Sequence, residues 1–187
     1  MPHYRSVSPG LIAAALLGLS GCQLDMGGGP SSAQAAPPSP NYATAAVAST
    51  APARGACFTP DELTSVRERL VQQELAVVAL QCLYPNKQRA YEGPYAAFLN
   101  KFNGDLTQNR LTLERALAKR GINFNAFVTE MTNRAGTRAN IDPKFCISGK
   151  QALDWGLSPQ VTKLSMVPPI VDVTPEMGVR PCATATK

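Results

Sequence analysis

The sequence predicts an all-α protein: a small disulfide-braced bundle of about four to five helices, with a disordered N-terminal tether and an extended C-terminal arm. Three observations lead there. Between Cys57 and Gly156, apolar residues recur at intervals of three and four, in segments that open and close on helix-capping residues. No stretch before residue 157 alternates as a strand would. Four cysteines, Cys57, Cys82, Cys146 and Cys182, are separated by 24, 63 and 35 residues, too far apart for the paired thiolates of a zinc site but suited to two disulfides.

The first helix has the best-specified start. With Thr59 as N-cap, Pro60 takes the first helical position, Glu62 completes a capping box and Phe58 can staple onto Leu63. Leu63, Val66, Leu70, Val77 and Leu80 follow at helical spacing, and from Leu75 to Leu83 the chain is apolar on every side except at Gln81. That half must be covered all round, which makes this the central helix; Pro85 ends it near Tyr84. Gly93-Pro94 opens a second helix with Tyr95, Phe98, Leu99, Phe102 and Leu106 on one face, broken or kinked at Asn103-Gly104. A third, carrying Leu113 and Leu117, stops at Lys119-Arg120-Gly121, where cations and a glycine suit a helix end. A fourth begins near Asn123 or Asn125 and carries Phe124, Phe127, Val128 and Met131. Asp142-Pro143 reads as N-cap and first-turn proline of a last helix through Cys146, Leu153 and Trp155, closed by Gly156.

From Leu157 onward the pattern gives way to Pro168-Pro169-Ile170-Val171-Asp172-Val173-Thr174-Pro175, which could form one edge strand but, with no partner strand in view, reads as a peripheral arm laid on the helices. Cys182 would fasten it. Four cysteines allow three pairings, but Cys57 and Cys82 flank one predicted helix and stand roughly 35 Å apart at about 1.5 Å per residue. A disulfide needs Cα atoms within about 7 Å, so two maps remain. Cys82 with Cys146 and Cys57 with Cys182 is preferred, because the first bond joins the central helix to the last helix and the second ties the domain's ends together.

The N-terminus says where the chain goes. An apolar run from Pro9 to Ser20 follows the basic Arg5 and is too short for a bilayer span, but suits a secretory signal. It closes on Leu19-Ser20-Gly21-Cys22, which resembles the lipobox of a bacterial lipoprotein. The resemblance implies cleavage before Cys22, acylation of Cys22 and a membrane anchor; Gln23 rather than Asp after it resembles the sorting pattern of outer-membrane lipoproteins facing the periplasm. Residues 22–56, rich in Gly, Pro, Ser and Ala, read as a disordered tether with a reach of roughly 30 to 35 Å. Tyr42 and Val47 are its only larger side chains, the two that could dock on the domain, and read instead as isolated apolar residues in a linker. Residues 57–156 form the helical domain and 157–187 the arm. Of 18 Lys and Arg only Arg5 falls within residues 1–21, and all 13 Asp and Glu lie beyond, so the mature charge is +4. With no basic cluster interleaved with aromatics, a nucleic-acid partner is not expected.

Catalytic groups are scarce. His3, the one histidine, leaves with the signal, so histidine-based triads and histidine-bound metals are excluded, and no cofactor is expected. Paired cysteines offer no nucleophile. Glu74 remains, at the threshold of the all-apolar half of the first helix, where burial could raise its pKa for general-acid work in a cell-wall hydrolase. The simpler expectation pairs it with Arg110 or Arg115, or exposes it to water. Tyr95, Phe98, Phe102, Phe124 and Phe127 read as core, and Gly27-Gly28-Gly29 as linker.

The segments Leu75 to Cys82, Tyr95-Ala96-Ala97-Phe98 with Lys101-Phe102, Phe124 to Thr129, and Phe145-Cys146 together resemble an uncharacterised family of small exported helical proteins of Gram-negative bacteria, over roughly residues 60 to 155. That resemblance implies an all-helical domain and a Cys82 to Cys146 bond, and carries no function with it. A tethered, disulfide-braced helical lipoprotein is also similar in architecture to secretin pilotins, though no pilotin motif matches residue by residue. The expected function is a non-catalytic docking module for an envelope partner. The alternatives are the Glu74 hydrolase and a purely structural envelope lipoprotein.

Overall fold

The computed structural model describes residues 40–44, 46 and 48–183. The expected signal segment, Cys22, Val47 and the tether up to residue 39 lie outside them. The described residues form five α-helices, α1 (Pro60–Gln81), α2 (Glu92–Lys101), α3 (Asn103–Ala118), α4 (Phe124–Ile141) and α5 (Phe145–Leu157), with two short 3₁₀ turns at Leu164–Met166 and Pro175–Met177. Among these residues the only ladder pairings are isolated bridges, with no strand.

The capping box places α1. The Glu62 N–H donates to Thr59 Oγ1 at 3.3 Å, and the Thr59 N–H donates to Glu62 Oε2 at 2.9 Å. Four other helices pack on α1, so it is the central helix, and Leu70, Leu75 and Val78 on it are fully buried. Burial all round ends at Ala79, earlier than the sequence suggests. At the last turn it becomes one-sided: Cys82 is buried, whereas Leu80 and Leu83 are more than half exposed. One close approach brings α5 onto α1. A Cβ on Gly149 would stand 2.3 Å from Val78 Cγ2, so glycine is what lets these helices touch there.

Two helix boundaries differ from the sequence reading in informative ways. The break between α2 and α3 falls at Phe102, one residue before Asn103-Gly104, and the Phe102 ring packs 4.9 Å from that of Phe98. Asp142-Pro143 does not open α5. Asp142 Oδ1 accepts the Lys144 N–H at 2.8 Å and the Asp142 carbonyl accepts the Phe145 N–H at 3.0 Å, so the segment is a turn that delivers the chain to a helix beginning at Phe145. The fourth helix starts at Phe124, where Asn123 Oδ1 caps the Ala126 N–H.

The largest departure concerns the two ends. The stretch expected to be tether is docked from Pro40 onward, and Tyr42 is 5% exposed. It runs parallel to the C-terminal arm. The Tyr42 hydroxyl donates to the Pro168 carbonyl at 3.2 Å, and both the N–H and Oγ1 of Thr44 donate to the Ile170 carbonyl at 3.0 Å. Further along, the Arg54 N–H reaches the Gly178 carbonyl, the Phe58 N–H reaches the Arg180 carbonyl, and the Cys182 N–H returns to the Phe58 carbonyl. Gly178 has φ +71°, and a Cβ there would meet the Pro52 carbonyl at 2.3 Å. Nor is the arm peripheral. Val161, Leu164, Val167, Ile170, Val171, Val173, Met177 and Val179 all belong to the buried core. Disulfides join Cys57 to Cys182 and Cys82 to Cys146, with Cα atoms 4.7 and 5.6 Å apart.

Candidate docking surface and the buried Glu74

Glu74 is buried at 1% exposure in the middle of α1. Neither Arg110 nor Arg115 meets it; Arg110 pairs with Glu114 one helical turn away. Its partners are backbone amides of the arm: the Ile170 N–H donates to Oε2 at 2.7 Å and the Val171 N–H to Oε1 at 2.9 Å. Burial pushes its pKa up to about 8 against the pull of those two donors, and the neighbouring Asp172 adds to the rise. Asp172 is the second carboxylate of this region and is also engaged. Its Oδ2 accepts from Arg67 Nε at 3.1 Å, and its Oδ1 from the N–H and Oγ1 of Thr174. Glu74 thus holds the arm to the central helix. It lines none of the cavities described below.

Other charged side chains also hold the fold together. Arg120, whose side chain is 5% exposed, lies over the Phe58 ring with its guanidinium carbon 3.9 Å from the centroid. It donates to Glu62 and to the Ala56, Cys57 and Ala116 carbonyls, and its hydrogen bond holds the Glu62 carboxyl below its ordinary pKa. Arg134 and Arg138 both bind Glu176, and Arg54 and Arg134 both bind Glu130, so α4 holds both terminal segments through ion pairs.

Among the described residues several large apolar side chains stay open, with Leu111 and Met166 at 44% and 42%. Leu80, Leu83, Tyr84, Ile141 and Ile147 are between 52% and 64% exposed. They occupy the last turn of α1 and the two residues after Cys82, the last residue of α4 and the first turn of α5, segments held together by the Cys82–Cys146 bond and by the approach of Gln81 to Gly136. This end of the bundle exposes large apolar side chains beside a disulfide: Leu83 and Ile147 directly follow the bonded Cys82 and Cys146. In sequence it cannot be told from core, because Leu80 and Leu83 continue the same apolar run that buries Leu75 and Val78.

Among the described residues, cavities lie away from these side chains, and another of about 250 Å³ borders Ile141. One of about 390 Å³ between Thr44, Arg67 and Pro168 carries the Arg67–Asp172 pair, and one of about 300 Å³ is lined by Glu68, Asp105, Asn109 and Lys163. Burial raises the Glu68 pKa there, although Asn109 donates to its Oε2 at 2.9 Å. A further one lies beside Trp155. Among the described residues no group of three or more His, Cys, Asp or Glu is placed to hold a metal, and no helix is long and apolar enough to cross a membrane. No protein-family model, curated protein or solved structure matches the chain.

Proposed function

We propose that this protein is an outer-membrane-anchored lipoprotein of the periplasmic face, acylated at Cys22, whose helical domain acts as a non-catalytic docking module for an envelope protein. The observation that carries the docking reading is the exposed apolar end. Large apolar side chains exposed at one disulfide-braced end of the bundle suit a helix-in-groove or flat apolar interface. Two disulfides between distant segments suit an oxidising, exported setting. The partner this surface fits presents an apolar helix or face of its own.

The hydrolase alternative at Glu74 loses support, because a carboxyl buried between two backbone amides has no path to a glycan. A purely structural role differs in predicting no discrete partner. Location is tested by labelling cells with a fatty-acid analogue: Cys22→Ser should abolish labelling and membrane fractionation, and unchanged labelling would refute the anchor. Docking is tested by crosslinking in intact cells, where one stoichiometric envelope partner is expected.

A further inference from the structure

A second surface carries chemistry of a different kind. One face of α5 is buried through Phe145, Gly149, Ala152, Leu153 and Gly156. Gln151, Asp154, Trp155 and Ser158 follow at intervals of three, one and three along another face, where together with the docked Pro40–Tyr42 segment and Gln160 they line a cavity of about 370 Å³. The Trp155 indole is half-buried and fixed, its Nε1–H donating to the Met166 carbonyl at 3.0 Å. The opposite wall is fixed by Tyr42, whose own hydroxyl is occupied by Pro168. At the floor, Ser158 Oγ is the one buried side-chain polar atom without a hydrogen-bond partner among the described residues. An unpaired buried hydroxyl is costly and uncommon in a folded protein, and this one belongs to a residue that lines the cavity.

We infer that this cavity binds a neutral pyranose unit of a glycan, stacked on Trp155 and hydrogen-bonded by Gln151, Asp154 and Gln160. A pyranose presents apolar C–H faces to an indole and a rim of hydroxyls that both donate and accept. Carboxamides match that rim, since each offers two donors and an acceptor. No Lys or Arg lines the cavity, and the Asp154 carboxylate is balanced by Lys150 at 2.6 Å, so phosphates and acidic ligands gain nothing there. A proline-rich peptide would need a groove with two exposed aromatic rails. Here there is one platform, because Tyr42 is buried. This inference does not depend on the docking proposal, which concerns the opposite end of α5.

Trp155 is the only tryptophan in the chain, so its fluorescence reports this cavity alone. The full chain should be titrated with N-acetylated chitooligosaccharides, with cello- and maltooligosaccharides and with a proline-rich peptide. A saturable spectral change with a neutral oligosaccharide is expected, and the arm that saturates first says whether the source is an N-acetylated glycan or a plain glucan. The double variant Gln151→Ala with Asp154→Ala, both exposed and clear of the core, should keep the helical circular-dichroism spectrum and bind at least tenfold more weakly. No change with any oligosaccharide up to about 10 mM, an equal response in the double variant, or saturation by the peptide alone would overturn the inference.

Discussion

Replacing Glu74 with glutamine should remove a pH dependence that this fold carries in one side chain. The Glu74 carboxyl is lifted from 4.5 to about 8, chiefly by burial. Below pH 4.5 it is protonated in both the folded and the unfolded chain, and its contribution to stability is fully present. Between pH 4.5 and 8 the unfolded chain gives up a proton that the folded chain keeps, so stability falls by about 1.4 kcal/mol per pH unit. The whole shift is worth roughly 5 kcal/mol, and that contribution is gone above pH 8. Glutamine does not titrate, but its amide nitrogen cannot accept from a backbone N–H, which costs about 1 to 3 kcal/mol at every pH. Guanidinium unfolding of both proteins at pH 5, 6, 7 and 8, with disulfides intact, isolates the group. Glu62 contributes with the opposite sign, since Arg120 holds its pKa down, and this cancels in the comparison. The native chain should be the more stable at pH 5, and its advantage should shrink by roughly 4 kcal/mol on going to pH 8, where the variant overtakes it. A difference that is constant with pH, or that grows in favour of the native chain as pH rises, would refute the reasoning.

Removing the Cys57–Cys182 bond with Cys57→Ser and Cys182→Ser frees a loop of 125 residues; unfolding experiments should show a loss of about 2 to 5 kcal/mol with the helices retained. Gly149→Ala drives a methyl into Val78 and should lower stability by about 1 to 3 kcal/mol, and pairing it with Val78→Ala should recover part of the loss. Arg120→Ala removes the guanidinium donors to Glu62 and three carbonyls and should cost roughly 2 to 4 kcal/mol; Arg120→Lys should rescue little, because an ammonium cannot serve the carboxylate and the carbonyls from one planar fork. Ile141→Asp and Ile147→Asp, by contrast, should shift the unfolding midpoint hardly at all, within about 0.5 kcal/mol, since both residues are exposed.

The helical part of the fold is legible where a local signal is complete. Thr59, Pro60 and Glu62 specify the start of α1 without reference to anything distant, and Asn123 does the same for α4. Asp142-Pro143 misleads because the same two residues suit an Asx turn as well as a helix cap, and only the backbone that follows decides. The docked segment from Pro40 is invisible in composition. What holds it is main-chain hydrogen bonding to Ile170 and Gly178, one buried ring, Tyr42, and side-chain contacts of Arg54 and Arg180 with distant partners, and no periodicity encodes these. Glu74 stands out in sequence as a charge beside an apolar run, but its donors are backbone amides 96 and 97 residues away, which any residue other than proline could supply. The exposed apolar end is the hardest to read: Leu80 differs from Leu75 only in whether a neighbouring helix reaches it.

Docking through that end is tested most directly by recovering crosslinked partners from intact cells expressing either the native chain or the Ile141→Asp, Ile147→Asp double variant at equal levels. A stoichiometric envelope protein recovered with the native chain and lost with the folded, correctly anchored variant is the predicted result. Repeated recovery of no partner, or of the same partner in undiminished amount with the variant, would contradict it.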